Sequence, residues 1–188
     1  MPVVLLLSFV VTQDYMKYMK PYEESPEDLA VAKQMLAIEK AGLEQNEALF
    51  GQEVQKLIAM KPKKQLVNLM RSKDPVRRAH CVLGHRLLPI KRAWEDLRFL
   101  LMDASPDVRR QVMLYAQEQP AGIDVGGVQM TLSDVDANVR VAAVGAVVKT
   151  ARKKEVAIDL LRTRLKEEKD PAVIKQLKTG LIVLGAGP

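Results

Sequence analysis

A short motif that recurs at nearly even spacing constrains the fold of this chain more than any other feature. Its four copies are KDPVRRAH (73–80), SPDVRRQV (105–112), VDANVRVA (135–142) and KDPAVIKQ (169–176). When they are aligned on Val76, Val108, Val139 and Val173, the copies lie 32, 31 and 34 residues apart. A period in this range indicates stacked supersecondary units, because each unit buries its apolar face only against its neighbours.

Each copy of the motif stands between two apolar runs with helical periodicity. QLVNLM and EDLRFLL are examples of the run before the motif, and VRRAHCVLGHRL and VRVAAVGAVV of the run that follows it. Asp, Ser or Asn before the second run supplies an N-cap, and Pro75, Pro106 and Pro171 fit the first helical turn. Small residues recur seven and eight positions after the valine, where stacked helices approach closely. Each unit is therefore predicted to be a helix, a short turn and a second helix.

The acid, valine, arginine and alanine of this motif, placed after an apolar helix, resemble the HEAT repeat, including the short type found in phycobilisome-lyase-like proteins. The resemblance covers about residues 62–187 and departs from the pattern at Ile174, which stands where the arginine is expected. Pattern and resemblance together predict an all-α fold, a right-handed α-α solenoid of about four HEAT-like helical hairpins with an N-terminal helical extension. The predicted divisions are an extension at 1–60 and a repeat region at 61–188, with repeats at about 62–88, 89–119, 122–150 and 153–187.

The arginine after the valine has a structural role in HEAT-like stacks, where it usually pairs with an acidic turn residue of a neighbouring repeat. The resemblance therefore implies a ladder of ion pairs. Its expected members are the arginines Arg77, Arg109 and Arg140 and the acids Asp74, Asp107, Asp136 or their neighbours. These side chains are expected to hold the stack together rather than to bind a partner.

The second helices of such a stack line an extended inner surface, which suits a protein or peptide partner. The residues expected on that surface lie two, six and nine positions past each valine. They are Arg78, Val82, His85, Arg110, Leu114, Gln117, Val141, Gly145, Val148, Lys175, Thr179 and Ile182. The predicted surface is basic in the first two repeats and becomes apolar in the third. It favours a non-catalytic scaffold that binds a protein partner.

The familiar sequence motifs for catalysis, cofactor binding and metal binding are absent from the sequence. There is no phosphate loop, no dinucleotide-binding glycine motif and no HExxH metal site. His80 and His85 are five residues apart on one helix, so they do not face one ligand, and His80 takes a predicted core position. Cys81 is the sole cysteine, which excludes an intramolecular disulfide and a cysteine metal cluster. We therefore expect no enzyme activity, no cofactor and no metal.

Charge provides the second hypothesis, a nucleic-acid partner. The chain has a net charge of +6, and between residues 61 and 92 Asp74 is the only acid among ten bases. Such a stretch can contact phosphates. In this hypothesis the chain would bind nucleic acid as the HEAT-like alkylpurine DNA glycosylases do. Aromatic residues, on which exposed bases stack, make up only 4% of the chain. The protein-binding interpretation is therefore preferred.

An apolar run, PVVLLLSFVV, occupies residues 2–11. It is shorter than the ~20 residues that a membrane-spanning helix needs. It also lacks the basic region and cleavage site of a signal peptide. Two interpretations stay open: a buried first helix that caps the core of a cytoplasmic protein, or an anchor that makes the chain a membrane-associated assembly subunit.

Overall fold

The computed structural model describes residues 22–88, 90, 93–123 and 125–187, and within these ranges the chain is helical without β-strands. The α-helices are α1 (Pro26–Leu43), α2 (Glu47–Ala59), α3 (Lys63–Leu69), α4 (Pro75–Leu87), α5 (Ala93–Leu97), α6 (Pro106–Glu118), α7 (Val125–Thr131), α8 (Ala137–Thr150), α9 (Lys154–Glu167) and α10 (Pro171–Val183). A 3₁₀ helix, Arg98–Met102, continues α5. The prediction of an all-α fold is confirmed. The apolar run at 2–11 lies outside the described residues.

Each recurring motif forms the start of a helix, namely α4, α6, α8 and α10, which we call the second helices. Asp74, Asp136 and Asp170 cap three of them, because each carboxylate accepts a hydrogen bond from a backbone N–H of the first turn. Ser105 occupies the cap position of α6 without a side-chain cap bond. Proline begins α4, α6 and α10, where its missing N–H would have had no helical partner.

Counting from these caps changes the alignment of the first unit. The caps lie 31, 31 and 34 residues apart, and Val108, Val139 and Val173 are each the third residue after a cap. These three valines are fully buried. Val76 is the second residue after its cap and is 52% exposed. Anchoring the first unit on Val76 is therefore wrong by one residue, which turns each side chain about 100° around the helix axis.

The second helices pack side by side in chain order, α4 against α6, α6 against α8 and α8 against α10. Their partners on the other side are the helices that precede them. α3 packs on α4, the 3₁₀ helix on α6, α7 on α8 and α9 on α10. α1 packs on α2, α3 and α4, and thereby adds a helix before α4. One hydrophobic core runs between the two sets of helices.

Small residues allow the helices to approach closely at particular points of this core. A Cβ atom on Gly84 would lie 2.6 Å from Cδ2 of Leu66, so α3 rests directly on the backbone of α4. A Cβ atom on Gly180 would lie 3.1 Å from Cγ1 of Val144, where α10 meets α8. The middle of α8 contributes fully buried alanines such as Ala143. Close packing thus follows from the small residues that recur further along the second helices.

Candidate protein-binding surface

Three arginines on successive second helices hold the units together through bidentate ion pairs. Each is the fourth residue after its cap, and its Nε and Nη2 groups donate to a carboxylate that stands two residues before the next cap. The pairs are Arg78–Asp103, Arg109–Asp134 and Arg140–Glu168. The hydrogen bonds measure 2.6 to 3.0 Å. The Nη1 group of each arginine also donates to backbone carbonyls of the turn before its own helix.

Two carboxylates of this ladder, Asp134 and Glu168, remain ionised although they are buried. Burial by itself would raise the pKa of Asp134, but the hydrogen bonds from Arg109 and from the backbone hold that pKa below its ordinary value. The same balance, with Arg140 as the main hydrogen-bond donor, lowers the pKa of Glu168 to about 2. The ladder therefore consists of charged pairs with multiple hydrogen bonds, which are strong when they are desolvated together.

Only some of the residues that the sequence predicts for the ladder take part in it. Arg109 and Arg140 belong to the ladder. The partner of Arg109, Asp134, stands two residues before the expected Asp136, whereas the partner of Arg140, Glu168, is not a neighbour of any expected acid. Asp74 and Asp136 cap helices instead. Asp107 has an 80% exposed side chain and lies 4.0 Å from Arg110 of its own helix.

Arg77 is the one expected arginine that the structure puts outside the ladder. Its guanidinium pairs with Glu24 and lies 3.5 Å from Asp74, near the start of the described chain. Arg78 takes its place, because the first unit is shifted by one residue. In that unit Ser72 stands where the later units carry the ladder acid, and its hydroxyl also contacts Glu24.

The solvent-facing side of the second helices forms a surface that we call the second-helix face. Its members are the second, fifth, ninth, twelfth and thirteenth residues after each cap, and all of them are exposed or half-buried. They are Val76, Ala79, Leu83, Arg86 and Leu87 on α4; Asp107, Arg110, Leu114, Gln117 and Glu118 on α6; Asn138, Val141, Gly145, Val148 and Lys149 on α8; and Ala172, Lys175, Thr179, Ile182 and Val183 on α10.

Three residues expected on this face lie elsewhere because of the register shift in the first unit. Arg78 is a ladder residue, and Val82 and His85 are buried. The face carries Leu83 and Arg86 one position further on, together with Ala79. The nine expected residues on α6, α8 and α10 all lie on the face, where anchoring on a buried valine is correct.

Polar contacts across the face keep its helices in register. Arg86 donates to Gln111 of α6 at 2.7 Å and to Glu118 at 2.9 Å. Gln117 donates to the carbonyl of Ala142 on α8 at 2.8 Å. In both cases the twelfth residue of one helix reaches the sixth residue of the next.

Gly145 allows the contact between α6 and α8, since a Cβ atom there would lie 2.6 Å from Cδ of Gln117. The contact between α1 and α4 is similar. Glu39 of α1 lies 2.9 Å from Nε2 of His80, which is the sixth residue after its cap.

Apolar side chains run along the face between these polar contacts. Leu83, Leu114, Val141 and Val148 are half-buried, and Ile182 is 64% exposed. Between α4 and α6 the surface forms a cleft of about 280 Å³ lined by Val76, Ala79 and Leu83 together with polar residues. Apolar groups framed by polar ones are the arrangement that protein-binding surfaces use.

The two histidines and the cysteine are all buried. His85 is buried, its Nδ1 atom lies 2.8 Å from the carbonyl oxygen of Cys81, and burial lowers its pKa. Burial also raises the pKa of the Cys81 thiol, which therefore stays protonated. The Nε2 atom of His80 lies 2.9 Å from a carboxylate oxygen of Glu39. In the described part of the chain no group of three or more His, Cys, Asp or Glu side chains is placed to hold a metal ion.

Comparison of the chain with protein-family models gives no match, and comparison with curated proteins gives none either. Among the described residues, no helix is both long enough and apolar enough to cross a membrane.

Proposed function

We propose that this protein is a non-catalytic scaffold that binds a protein partner on the second-helix face. In this proposal the helices form a right-handed α-solenoid of HEAT-like repeats, and the second helices line its inner side. Solenoids of this kind use such a surface to hold a helix or an extended segment of a partner. The proposal rests on the architecture and on the chemistry of the face, and the resemblance to HEAT repeats adds to it.

The observation that carries the proposal is a chemical difference between the two sides of the second helices. On one side, the three arginines and three acids of the ladder are bonded to one another inside the stack. The opposite side presents aliphatic residues, Leu83, Leu114, Val141 and Val148, which remain partly open to solvent. A row of partly exposed aliphatic groups favours association when a partner removes it from water, by roughly 25 cal/mol per Å² of apolar surface before the cost of ordering the two partners is subtracted.

A nucleic-acid partner has less support than a protein partner. The basic stretch at 61–92 suggested it, but Arg78 and Arg86 of that stretch form bidentate pairs with Asp103 and Glu118. Guanidinium groups held in this way offer fewer free donors to phosphates. The membrane alternative depends on residues 2–11, which lie outside the described residues.

Affinity capture with matched variants tests the proposal. The intact protein, an Ile182→Asp variant and a Leu114→Asp variant are used as baits in cells that make the protein naturally. Ile182 lies on the face and is 64% exposed, so its replacement leaves the core intact. Val156→Asp is the control, because Val156 is 44% exposed on α9, away from the face.

We expect a defined protein to be captured by the intact chain and by the Val156→Asp control, and to be lost with both face variants. Thermal unfolding of each bait shows that the variants are folded. Equal capture of the same protein by all four baits would contradict the proposal. Recovery of nucleic acid that disappears with nuclease and with added salt would replace it with the second hypothesis.

A further inference from the structure

We propose that the segment of the partner that covers the α8–α10 half of the second-helix face is acidic as well as apolar. This inference rests on the proposed function and adds the chemistry of the partner to it. It follows from the way in which charges are paired on the two halves of the face. The sequence alone predicted a surface that is basic on the first two repeats and apolar on the third.

On the α4–α6 half of the face, most basic side chains lie beside a carboxylate of the same chain. Arg86 is held by Glu118, and His80 of α4 lies against Glu39 of α1. Arg110 has Asp107 on its own helix at 4.0 Å. The bases of this half therefore stand beside carboxylates of the same chain, and an acidic partner would meet Glu39, Asp107 and Glu118 as well.

The α8–α10 half carries bases without acids. Neither 137–150 nor 171–183 contains an aspartate or a glutamate. Lys149 is exposed and occupies on α8 the position that Glu118 occupies on α6, so it replaces a carboxylate with an ammonium group. Lys175 is exposed and occupies on α10 the position of Arg110. Within the described residues no carboxylate lies at ion-pair distance from Lys149 or Lys175, whereas the Arg140 guanidinium of α8 is neutralised by Glu168.

Apolar groups lie beside these two lysines. Val141 and Val148 are half-buried on α8, and Ile182 and Val183 are 64% and 65% exposed on α10. A partner segment that covers them buries aliphatic surface and brings its flanking side chains to Lys149 and Lys175. Carboxylates at those flanks gain charge complementarity, and lysines or arginines there would be repelled. An amphipathic helix with acidic flanks, or an extended segment in which apolar and acidic residues alternate, meets both requirements.

Selection of peptides from a displayed random library of 16-residue segments tests this inference with the full chain as bait. Two double variants are compared with the natural protein. Lys149→Glu with Lys175→Glu reverses the charge of the face, and Arg162→Glu with Lys166→Glu makes the same change of net charge on exposed positions of α9. A third variant, Ile182→Asp, disrupts the apolar part of the face.

We expect the recovered peptides to be enriched in aspartate and glutamate relative to the starting library. Their binding should fall about tenfold or more with the face reversal, which corresponds to about 1.4 kcal/mol, and should be unchanged with the α9 control. Peptides that depend on Ile182 but are neutral or basic, or that tolerate the face reversal, would overturn the inference and leave the proposed function standing. Peptides that are insensitive to every face variant would count against the proposed function itself. Capture of DNA or phosphatidylserine vesicles through Lys149 and Lys175, with no acidic peptides selected, would also overturn the inference.

Discussion

Replacement of Arg109 by methionine tests the ladder, because it removes one partner of a buried pair and keeps an unbranched apolar side chain in place of the aliphatic part of the arginine. The Arg109 and Asp134 side chains are only 10% and 9% exposed. Without the guanidinium, the Asp134 carboxylate keeps one backbone hydrogen bond, from the N–H of Asp136 at 2.9 Å. The carbonyl of Asp103 also loses its donor, which lay at 2.7 Å. Loss of one partner of such a pair costs about 3–5 kcal/mol, a large fraction of a typical stability of about 5–15 kcal/mol.

Equilibrium unfolding in urea, followed by circular dichroism, measures this loss. Arg110→Met is the matched control, since Arg110 is the next residue, is 39% exposed and has only a distant partner, so its loss should change stability by less than about 0.5 kcal/mol. Arg109→Met combined with Asp134→Leu should recover part of the stability, because no buried charge is then left unpaired, while the carbonyl of Asp103 and the N–H of Asp136 still lack these partners. If Arg109→Met were no more destabilising than Arg110→Met, the argument that buried ion pairs hold the units together would be refuted.

Two further outcomes follow from buried contacts. Gly84→Ala should lower the unfolding free energy by about 1–3 kcal/mol, because the new Cβ meets the fully buried Leu66. In Gly145→Ala the new Cβ meets only the end of the flexible Gln117 side chain, so the free energy of unfolding should stay within about 1 kcal/mol of that of the natural protein. Equal losses of stability in the two glycine variants, measured by urea unfolding, would contradict the difference in burial between the two sites. Because burial lowers the folded-state pKa of His85, the unfolded chain binds its proton first, near pH 6.5. The free energy of unfolding should therefore fall as the pH drops below that value, and it should fall less in His85→Leu. Urea unfolding at pH 8 and pH 5.5 measures both changes. Equal changes in the two proteins would contradict the assignment of this pH dependence to His85.

The all-helical fold and the positions of the second helices could be predicted from the sequence, because caps, prolines and apolar periodicity are local signals. The error in the first unit came from using a valine as the reference point. Asp74-Pro75 and Ser105-Pro106 both mark helix starts, but the valine follows them at the second residue in one case and at the third in the other. Alignment on the caps would have placed Arg78, rather than Arg77, with Arg109 and Arg140.

The pairing partners of the ladder were also missed, although a signal for them exists in the sequence. An acid stands two residues before three of the caps, at Asp103, Asp134 and Glu168. These acids are 25 or more residues from their arginines, so a local pattern does not reveal the contact. The pairing of charges on the face was hidden for the same reason, since Arg86 and Glu118 are 32 residues apart.

Site-specific photocrosslinking tests the central claim, that the second-helix face is where a partner binds, most directly. A photoreactive phenylalanine analogue is placed at Leu114 on the face in one protein and at Val156 on α9 in another, and each is irradiated in the cells that make it. We predict a discrete crosslink to one protein from position 114 and none from position 156. Crosslinks from position 156 to the same protein, with none from position 114, would contradict the account.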